Sequence, residues 1–360
     1  MELKGHGFAN GIIDSPSVWH RLQLLCCLGI ASVLAGCDAA PRGYQGFEGS
    51  TMGTYYRVQF NANQHCQVQQ GAIDDLLLAF NQDLSTYIPQ SQISLINHAP
   101  ANMLLPVGDR LALVFASAKQ VWQQSDGAFD VTIGPLVNLW GFGPEAVDSL
   151  PSESAQKAAA QHVGMPKIVL EDDSDTKFLR KEDASVYLDF SALAKGYGVD
   201  EVAVLLSGKG CTDYLVDIGG EVRGLGVNRR GIAWRIGVEV PDSNGRGLVQ
   251  RVLQVQDRAV ATSGDYRNFR RFDGVRVDHV IDPRNGLPAA NDIVSATVVH
   301  PQAMLADAYA TTLMVLGMDA GMAFAQTYEL PVLLIAKSAD GGFIERYTDV
   351  MATFFVAPAE

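Results

Sequence analysis

Basic residues are in short supply: 27 Lys and Arg stand against 40 Asp and Glu, for a formal net charge of −13. A surface of that sign repels a phosphate backbone, which rules against nucleic acid as a partner. Cysteine is scarce as well, five in 360 residues, with no CxxC pair and no Cys/His cluster. Structural zinc and dithiol redox chemistry are therefore disfavoured. There is no GxGxxG, no P-loop and no GxSxG, so the sequence offers no Rossmann, Walker or α/β-hydrolase signature. No apolar run reaches the roughly 20 residues of a membrane-spanning helix. Repeats and low-complexity segments are also lacking.

What is present begins with Leu24–Leu34, an uncharged and mostly apolar run after Arg21 that closes on Leu34-Ala35-Gly36-Cys37. Its length suits a signal-peptide core of about 7 to 15 residues, with small residues before the cut. The close resembles the lipobox of bacterial lipoproteins, which implies cleavage before Cys37, lipidation of its thiol and a stable membrane anchor. Asp38 resembles an inner-membrane retention signal, so the expected location is the periplasmic side of the cell inner membrane. Removing residues 1–36 takes away Lys4, Arg21, Glu2 and Asp14, and the net charge does not change. Cys26 and Cys27 leave with the signal. An oxidising periplasm permits a bond between the remaining Cys66 and Cys211, but no motif marks them and they are read as incidental.

Residues 37–50, with Pro41, Gly43, Gly46 and Gly49, lack periodicity and read as a tether to a folded domain spanning 51–357. Helical spacing marks Ile73–Leu84, Leu111–Ser125, Ser152–Val163, Ala192–Leu206 and Met304–Leu316. Strands are expected at Thr54–Phe60, Lys167–Leu170, Ser185–Phe190, Tyr214–Ile218, Glu221–Leu225, Ala259–Thr262, His279–Ile281, Ile293–Val299, Val332–Ile335 and Thr353–Phe355. Ile232–Val240 and Val249–Val255 read as a hairpin joined through Asp242-Ser243-Asn244-Gly245. Runs of adjacent strands between helices indicate an α+β fold with mixed or antiparallel sheets and packed helices.

The most informative stretch is Asp189-Phe190-Ser191-Ala192-Leu193-Ala194-Lys195-Gly196-Tyr197-Gly198. A strand ends on an acid and a helix begins at once, with Ser191 as the expected N-cap and Lys195 one turn in. Such a helix start can hold an anion against its free N–H groups. A plain capping turn with a solvated lysine explains the junction equally well. Asp307 and Thr311 are four apart in a helix of small and apolar residues, so they share a face. A carboxylate and a hydroxyl are hard oxygen donors suited to Mg²⁺, although each can also be satisfied locally. In Asp278-His279-Val280-Ile281-Asp282-Pro283-Arg284-Asn285-Gly286, His279 is a candidate base and Arg284 a candidate phosphate fork. Asp217-Ile218-Gly219-Gly220-Glu221 and Thr262-Ser263-Gly264-Asp265 are glycine-bearing strand ends. Ser125–Asp130 and Gly134–Gly143 combine turns, apolar rings and one acid, a composition that can hold a flat aromatic ligand or close a core.

Taken together, Thr51-Met52-Gly53-Thr54, Leu84-Ser85-Thr86-Tyr87, Gly127-Ala128-Phe129-Asp130, Asp189–Tyr197, Asp217–Gly220, His279–Gly286 and Ala306–Thr311 resemble the ApbE family of FAD:protein FMN transferases. The resemblance covers nearly the whole chain after the signal and implies an ApbE-like, T-fold-like architecture. It implies a Mg²⁺-dependent enzyme that moves FMN from FAD onto a Thr or Ser hydroxyl of another protein as a phosphoester and releases AMP. By the same resemblance, FAD would meet Met52, Tyr87, Ala128, Phe129, Asp130, Asp189, Lys195 and Ile281. The metal would take Asp307, Thr311 and the backbone oxygen of Ala192. His279, Lys195 and Asp307 would be the catalytic set. Two positions depart from the family pattern: Leu95 replaces a basic residue in Ser91–Asn97, and Asn285 replaces a hydroxyl residue. The acceptor motif of the family, Asp-x-x-(Ser/Thr)-Gly-Ala-(Ser/Thr), is absent from this chain, so the acceptor is expected to be a separate protein. By analogy it would be a subunit of a membrane redox complex. Hydrolysis of FAD to FMN and AMP, or flavin binding without catalysis, are the alternatives.

Overall fold

Ile293–Val299 is buried along its whole length, as expected of a strand covered on both faces, which needs no polar alternation. It belongs to β15 (Ile293–His300), near the middle of the main sheet in a computed structural model of the chain. The structure describes residues 43–145, 147–173, 176–241, 249–265, 269–272, 274–338 and 340–356. The expected signal peptide, Cys37, the Asp242-Ser243-Asn244-Gly245 turn and the end of the domain at 357 lie outside the described residues.

The strands are β1 (Tyr44–Thr51), β2 (Thr54–Asn61), β3 (Leu105–Val107), β4 (Ile168–Asp173), β5 (Thr176–Lys181), β6 (Tyr214–Ile218), β7 (Glu221–Leu225), β8 (Trp234–Glu239), β9 (Val249–Val255), β10 (Arg258–Gly264), β11 (Phe269–Phe272), β12 (Val275–Asp278), β13 (Ile281–Asp282), β14 (Leu287–Pro288), β15, β16 (Val332–Lys337) and β17 (Phe343–Tyr347). The helices are α1 (Gln70–Leu84), α2 (Gln92–His98), α3 (Asp109–Gln124), α4 (Gly134–Leu139), α5 (Glu153–Ala160), α6 (Ser191–Gly208), α7 (Ala303–Thr327) and α8 (Asp349–Ala352). Eight strands form one sheet in the order β1-β2-β6-β7-β10-β15-β16-β17, antiparallel at every pairing. The fold is α+β, as the sequence pattern indicates. Ala296 and Val298 belong to the core shared with α7, while Val294 and Val299 pack with Trp234, Val238 and Leu253 of the β8–β9 hairpin.

Helices α6 and α7 lie against each other and the sheet. A Cβ at Gly196 would stand 2.2 Å from the Ala303 carbonyl oxygen, so glycine at this position is what lets the two backbones touch. Asp200, buried on α6, caps the start of α7 by accepting from the Ala303 and Met304 N–H groups at 3.0 Å each. The helix expected at Met304–Leu316 ends where Gly317 takes φ 80 and ψ −178, and helical backbone then resumes to Thr327. The whole of Ala303–Thr327 is long and apolar enough to cross a membrane, but 67% of its most apolar window is buried inside the protein.

Several expectations are corrected. Residues 44–50 are not tether but part of β1, paired along its length with β2. The glycines there serve packing: a Cβ at Gly49 would lie 2.5 Å from the Tyr56 ring. Ser185–Phe190 does not form a strand: Ser185 lies in a turn, Phe190 has φ −96 and ψ 11, and among the described residues the ladder contact is a single bridge from Tyr187 to Ile133. His279 sits in a bend after β12. Thr353–Phe355 turns, with one bridge from Phe355 to Leu253. Helices α2 and α4 occupy segments in which the spacing marks no helix. Their sequence signals are the Ser91 side chain, which accepts from the Ser94 N–H at 3.2 Å, and Pro135 in the first turn of α4. Cys66 and Cys211 are not incidental; they form a disulfide across 145 residues of sequence. Gly210, at φ 77, lets that loop come close to His65, whose carbonyl would stand 2.3 Å from a Cβ there.

Candidate functional site

The approach to α6 is held by side chains in place of a strand partner. Asn97, buried on α2, donates to the Leu188 carbonyl at 2.9 Å and accepts from the Leu188 N–H at 2.7 Å. Lys181, also buried, gives its ammonium to the carbonyls of Asn97, Ala184 and Val186 at 2.7, 2.9 and 3.1 Å. Burial holds its pKa below the usual lysine value. These bonds fix the segment that delivers Asp189. Phe190, not Ser191, occupies the N-cap position of α6, and Asp189 Oδ1 accepts from the Ser191 N–H at 2.8 Å. The acid thus does the capping that the hydroxyl was expected to do, because it precedes the first helical residue by two. Burial raises its pKa despite that hydrogen bond.

One turn into α6, Lys195 meets Asp307 of α7. Its Nζ lies 3.4 Å from both Asp307 oxygens, and 3.2 Å from Oε1 of Glu221 at the start of β7. The Gly196 N–H donates to Asp307 Oδ2 at 3.0 Å. Asp307 and Glu221 are 1% and 3% exposed, so two buried acids share one ammonium, whose own side chain is 31% exposed. If both acids ionise, the lysine leaves one negative charge uncompensated. Burial, opposed by Lys195 and reinforced by Asp307, pushes the Glu221 carboxyl up to about 8. Burial also raises Asp307, against the pull of Lys195 and the Gly196 N–H. For Lys195 burial works toward the neutral form, but the two acids outweigh it and raise its pKa. Oε2 of Glu221 is buried with no hydrogen-bond partner among the described residues. Thr311, one turn along α7 from Asp307, meets the Ser263 hydroxyl at 3.3 Å. Ala192 is one turn before Gly196, partly buried against the main core. The elements carrying Lys195, Ala192, Asp307 and Thr311 therefore converge at one place.

A second group gathers around Phe142. The Tyr87 hydroxyl, on a side chain 65% exposed, donates to the Phe142 carbonyl at 3.3 Å. The Phe142 ring meets His279 edge-on, with centroids 6.2 Å apart. Burial and the nearby Asp189 raise the Tyr87 pKa, which links this group to the start of α6. Met52 takes the left-handed conformation, φ 50, in the β1–β2 turn, and its methyl would stand 2.7 Å from a Cβ on Gly198. It therefore touches the same helix one turn past Lys195.

Other expected contacts are occupied within the protein. The Ala128 and Phe129 side chains lie in the main core. Asp130 accepts from the Thr132 N–H at 2.8 Å, the Thr132 hydroxyl at 2.5 Å and the Met165 N–H at 3.1 Å, so it braces its own loop. Ile281 packs with Leu136 and Trp140. Arg284, read as a phosphate fork, instead grips Asp282 with two bonds of 2.9 and 2.8 Å. Glu221, Asn97 and Lys181 were not singled out by the sequence for roles at this site. Glu221 carried a signal as an acid directly after Gly219-Gly220, and Asn97 carried one as the last residue of the Ser91–Asn97 segment.

The profile of the ApbE family matches residues 52–334. A FAD:protein FMN transferase of Vibrio cholerae is 40% identical over 321 residues, covering 88% of this chain and 94% of that protein. A Salmonella typhimurium protein of the same name is 36% identical over 325 residues, covering 88% and 92%. Among solved structures, the flavin transferase ApbE from Vibrio cholerae has a TM-score of 0.79 at 39% identity, covering 87% of this chain and 100% of that one. The apo form of Pseudomonas stutzeri flavinyl transferase ApbE has a TM-score of 0.80 at 33% identity, covering 89% and 100%. On this coverage of sequence and fold, the chain belongs to the ApbE family.

Proposed function

We propose that this chain is a FAD:protein FMN transferase that moves FMN from FAD to a Thr or Ser hydroxyl of a separate acceptor protein and releases AMP. The observation that carries the reading is the contact of Lys195 with Asp307, 3.4 Å apart in space and 112 residues apart in sequence. It joins two of the motifs that the family resemblance rests on. The donor set suits a divalent cation: a buried carboxylate, a hydroxyl one turn away, and a charge excess around Lys195 that a cation would offset. Asp307, Thr311 and the Ala192 backbone oxygen would hold magnesium, which supplies positive charge beside the diphosphate.

In this mechanism Lys195 orients the diphosphate and draws off its charge. Met52, Tyr87 and Asp189 would contact FAD beside it. His279 accepts the proton of the acceptor hydroxyl as its oxygen forms a bond to the phosphorus of the FMN half. The bond from that phosphorus to the AMP oxygen breaks in line, so positioning and electrostatics carry most of the catalysis. A lipid on Cys37 would keep the enzyme at the periplasmic face of the inner membrane, beside a membrane-bound acceptor with the motif Asp-x-x-(Ser/Thr)-Gly-Ala-(Ser/Thr).

The test is incubation with FAD, magnesium and an acceptor carrying that motif, followed by intact-protein mass spectrometry and AMP assay. Covalent FMN on the acceptor with matching AMP is the expected result. Release of free FMN and AMP with no adduct would make the enzyme a hydrolase, and FAD binding without AMP would make it a carrier.

A further inference from the structure

We infer that Glu221 is a positioning residue of this site, keeping the Lys195 ammonium in place when the Asp307 carboxylate engages a divalent cation. The inference rests on the reading of Asp307 as a cation ligand given above. As the site stands, Lys195 is shared between Asp307 at 3.4 Å and Glu221 at 3.2 Å. A cation on Asp307 would set two positive centres around one carboxylate, and the ammonium would be driven off unless a second acid received it. Glu221 is that acid. It is 3% exposed, it already binds Lys195 through Oε1, and its Oε2 has no hydrogen-bond partner among the described residues. An ammonium has three donors, so the open oxygen can take the N–H that Asp307 gives up. Glu221 reaches this position because β7 starts directly after the Gly219-Gly220 turn, where both glycines have positive φ, and that turn is closed by the Gly220 N–H donating to Asp217 at 3.0 Å.

The test measures Mn²⁺ binding to the full chain without FAD, by calorimetry and by the loss of free Mn²⁺ signal in electron paramagnetic resonance. Wild type should bind one ion that Asp307→Ala loses. Glu221→Gln should weaken binding by about tenfold to a hundredfold, the range typical of removing a group that supports a metal ligand. Glu221→Asp should restore most of it. Lys195→Met should bind at least as tightly as wild type, because Asp307 is then released. The double variant Glu221→Gln/Lys195→Met should recover the affinity that Glu221→Gln lost, an outcome that a merely structural role for Glu221 would not give. Equal Mn²⁺ affinity in wild type and Glu221→Gln, or no recovery in the double variant, would overturn the inference. If Glu221→Gln fails to fold, weaker binding in Lys195→Met than in wild type would overturn it. Equal binding in wild type and Asp307→Ala would instead overturn the cation reading of Asp307 itself.

Discussion

The Gly196 N–H donates to Asp307 Oδ2 at 3.0 Å, so a backbone group of one helix holds the central acid of the other. This contact exists because the α6 backbone runs directly against the Ala303 carbonyl. Gly196→Ala would place a methyl 2.2 Å from that oxygen and force the helices apart. We expect a loss of about 1–3 kcal/mol in stability, as for overpacking at a tight contact, with FMN transfer falling far more than the stability loss explains. Thermal denaturation and the transfer assay on the same samples check both.

Asp307→Ala should abolish transfer in magnesium and leave the fold intact, since the variant removes an acid whose charged form burial already disfavours. Circular dichroism and the acceptor-adduct assay are the measurements. Full activity would remove Asp307 from the site chemistry.

For His279→Ala, FAD should still bind while transfer slows by roughly two to four orders of magnitude, the usual contribution of a positioned base. Flavin fluorescence titration separates binding from turnover. An unchanged rate would end the base assignment.

Glu221 sets a pH dependence of stability in the presence of a chelator. Its ordinary value is 4.5 and the folded state pushes it up to about 8. Below 4.5 the group is neutral in both states and costs nothing. As pH rises toward 8 the unfolded chain loses this proton while the folded chain keeps it, so the unfolded state is favoured and stability falls. The thermal midpoint of wild type should therefore drop relative to Glu221→Gln between pH 5 and pH 8. A constant gap across that range would contradict the assignment.

Reducing the Cys66–Cys211 bond, or replacing both residues by Ala, should lower stability by about 2–4 kcal/mol, since the link closes a long loop of the unfolded chain. Urea denaturation with and without reductant measures it. A midpoint unmoved by reductant would show that the bond contributes nothing.

How much of this was legible depends on whether the signal was local. The placement of Lys195 one turn into its helix and of Asp307 and Thr311 on one face was readable because the helix period fixes which side chains align, and Met304–Leu316 stopped at the glycine that breaks its helix. The β8–β9 hairpin and the run β6–β7 were readable from their alternating or apolar patterns. Glu221 was not given a role, because the link from β7 to Lys195 is tertiary and a lone acid after two glycines has many uses. The Cys66–Cys211 pairing was hidden for the same reason, since 145 residues separate its ends. Tyr44–Thr51 misled because Gly49 serves close packing against Tyr56, whereas glycine without periodicity usually marks a linker. The Arg284–Asp282 pairing was not read, because a guanidinium fork fits an acid two residues away as well as it fits a phosphate.

The peptide-like clasp of the Asn97 amide on Leu188 has a practical consequence. The loop that presents Asp189 borrows its alignment from this carboxamide and from the Lys181 ammonium, so transplanting residues 189–198 alone onto another scaffold would carry the chemistry without its jig. A grafted or minimised version of this catalyst would have to bring position 97 along, and a swap there to Asp or Leu should unseat the flavin while every reactive group remains in the sequence.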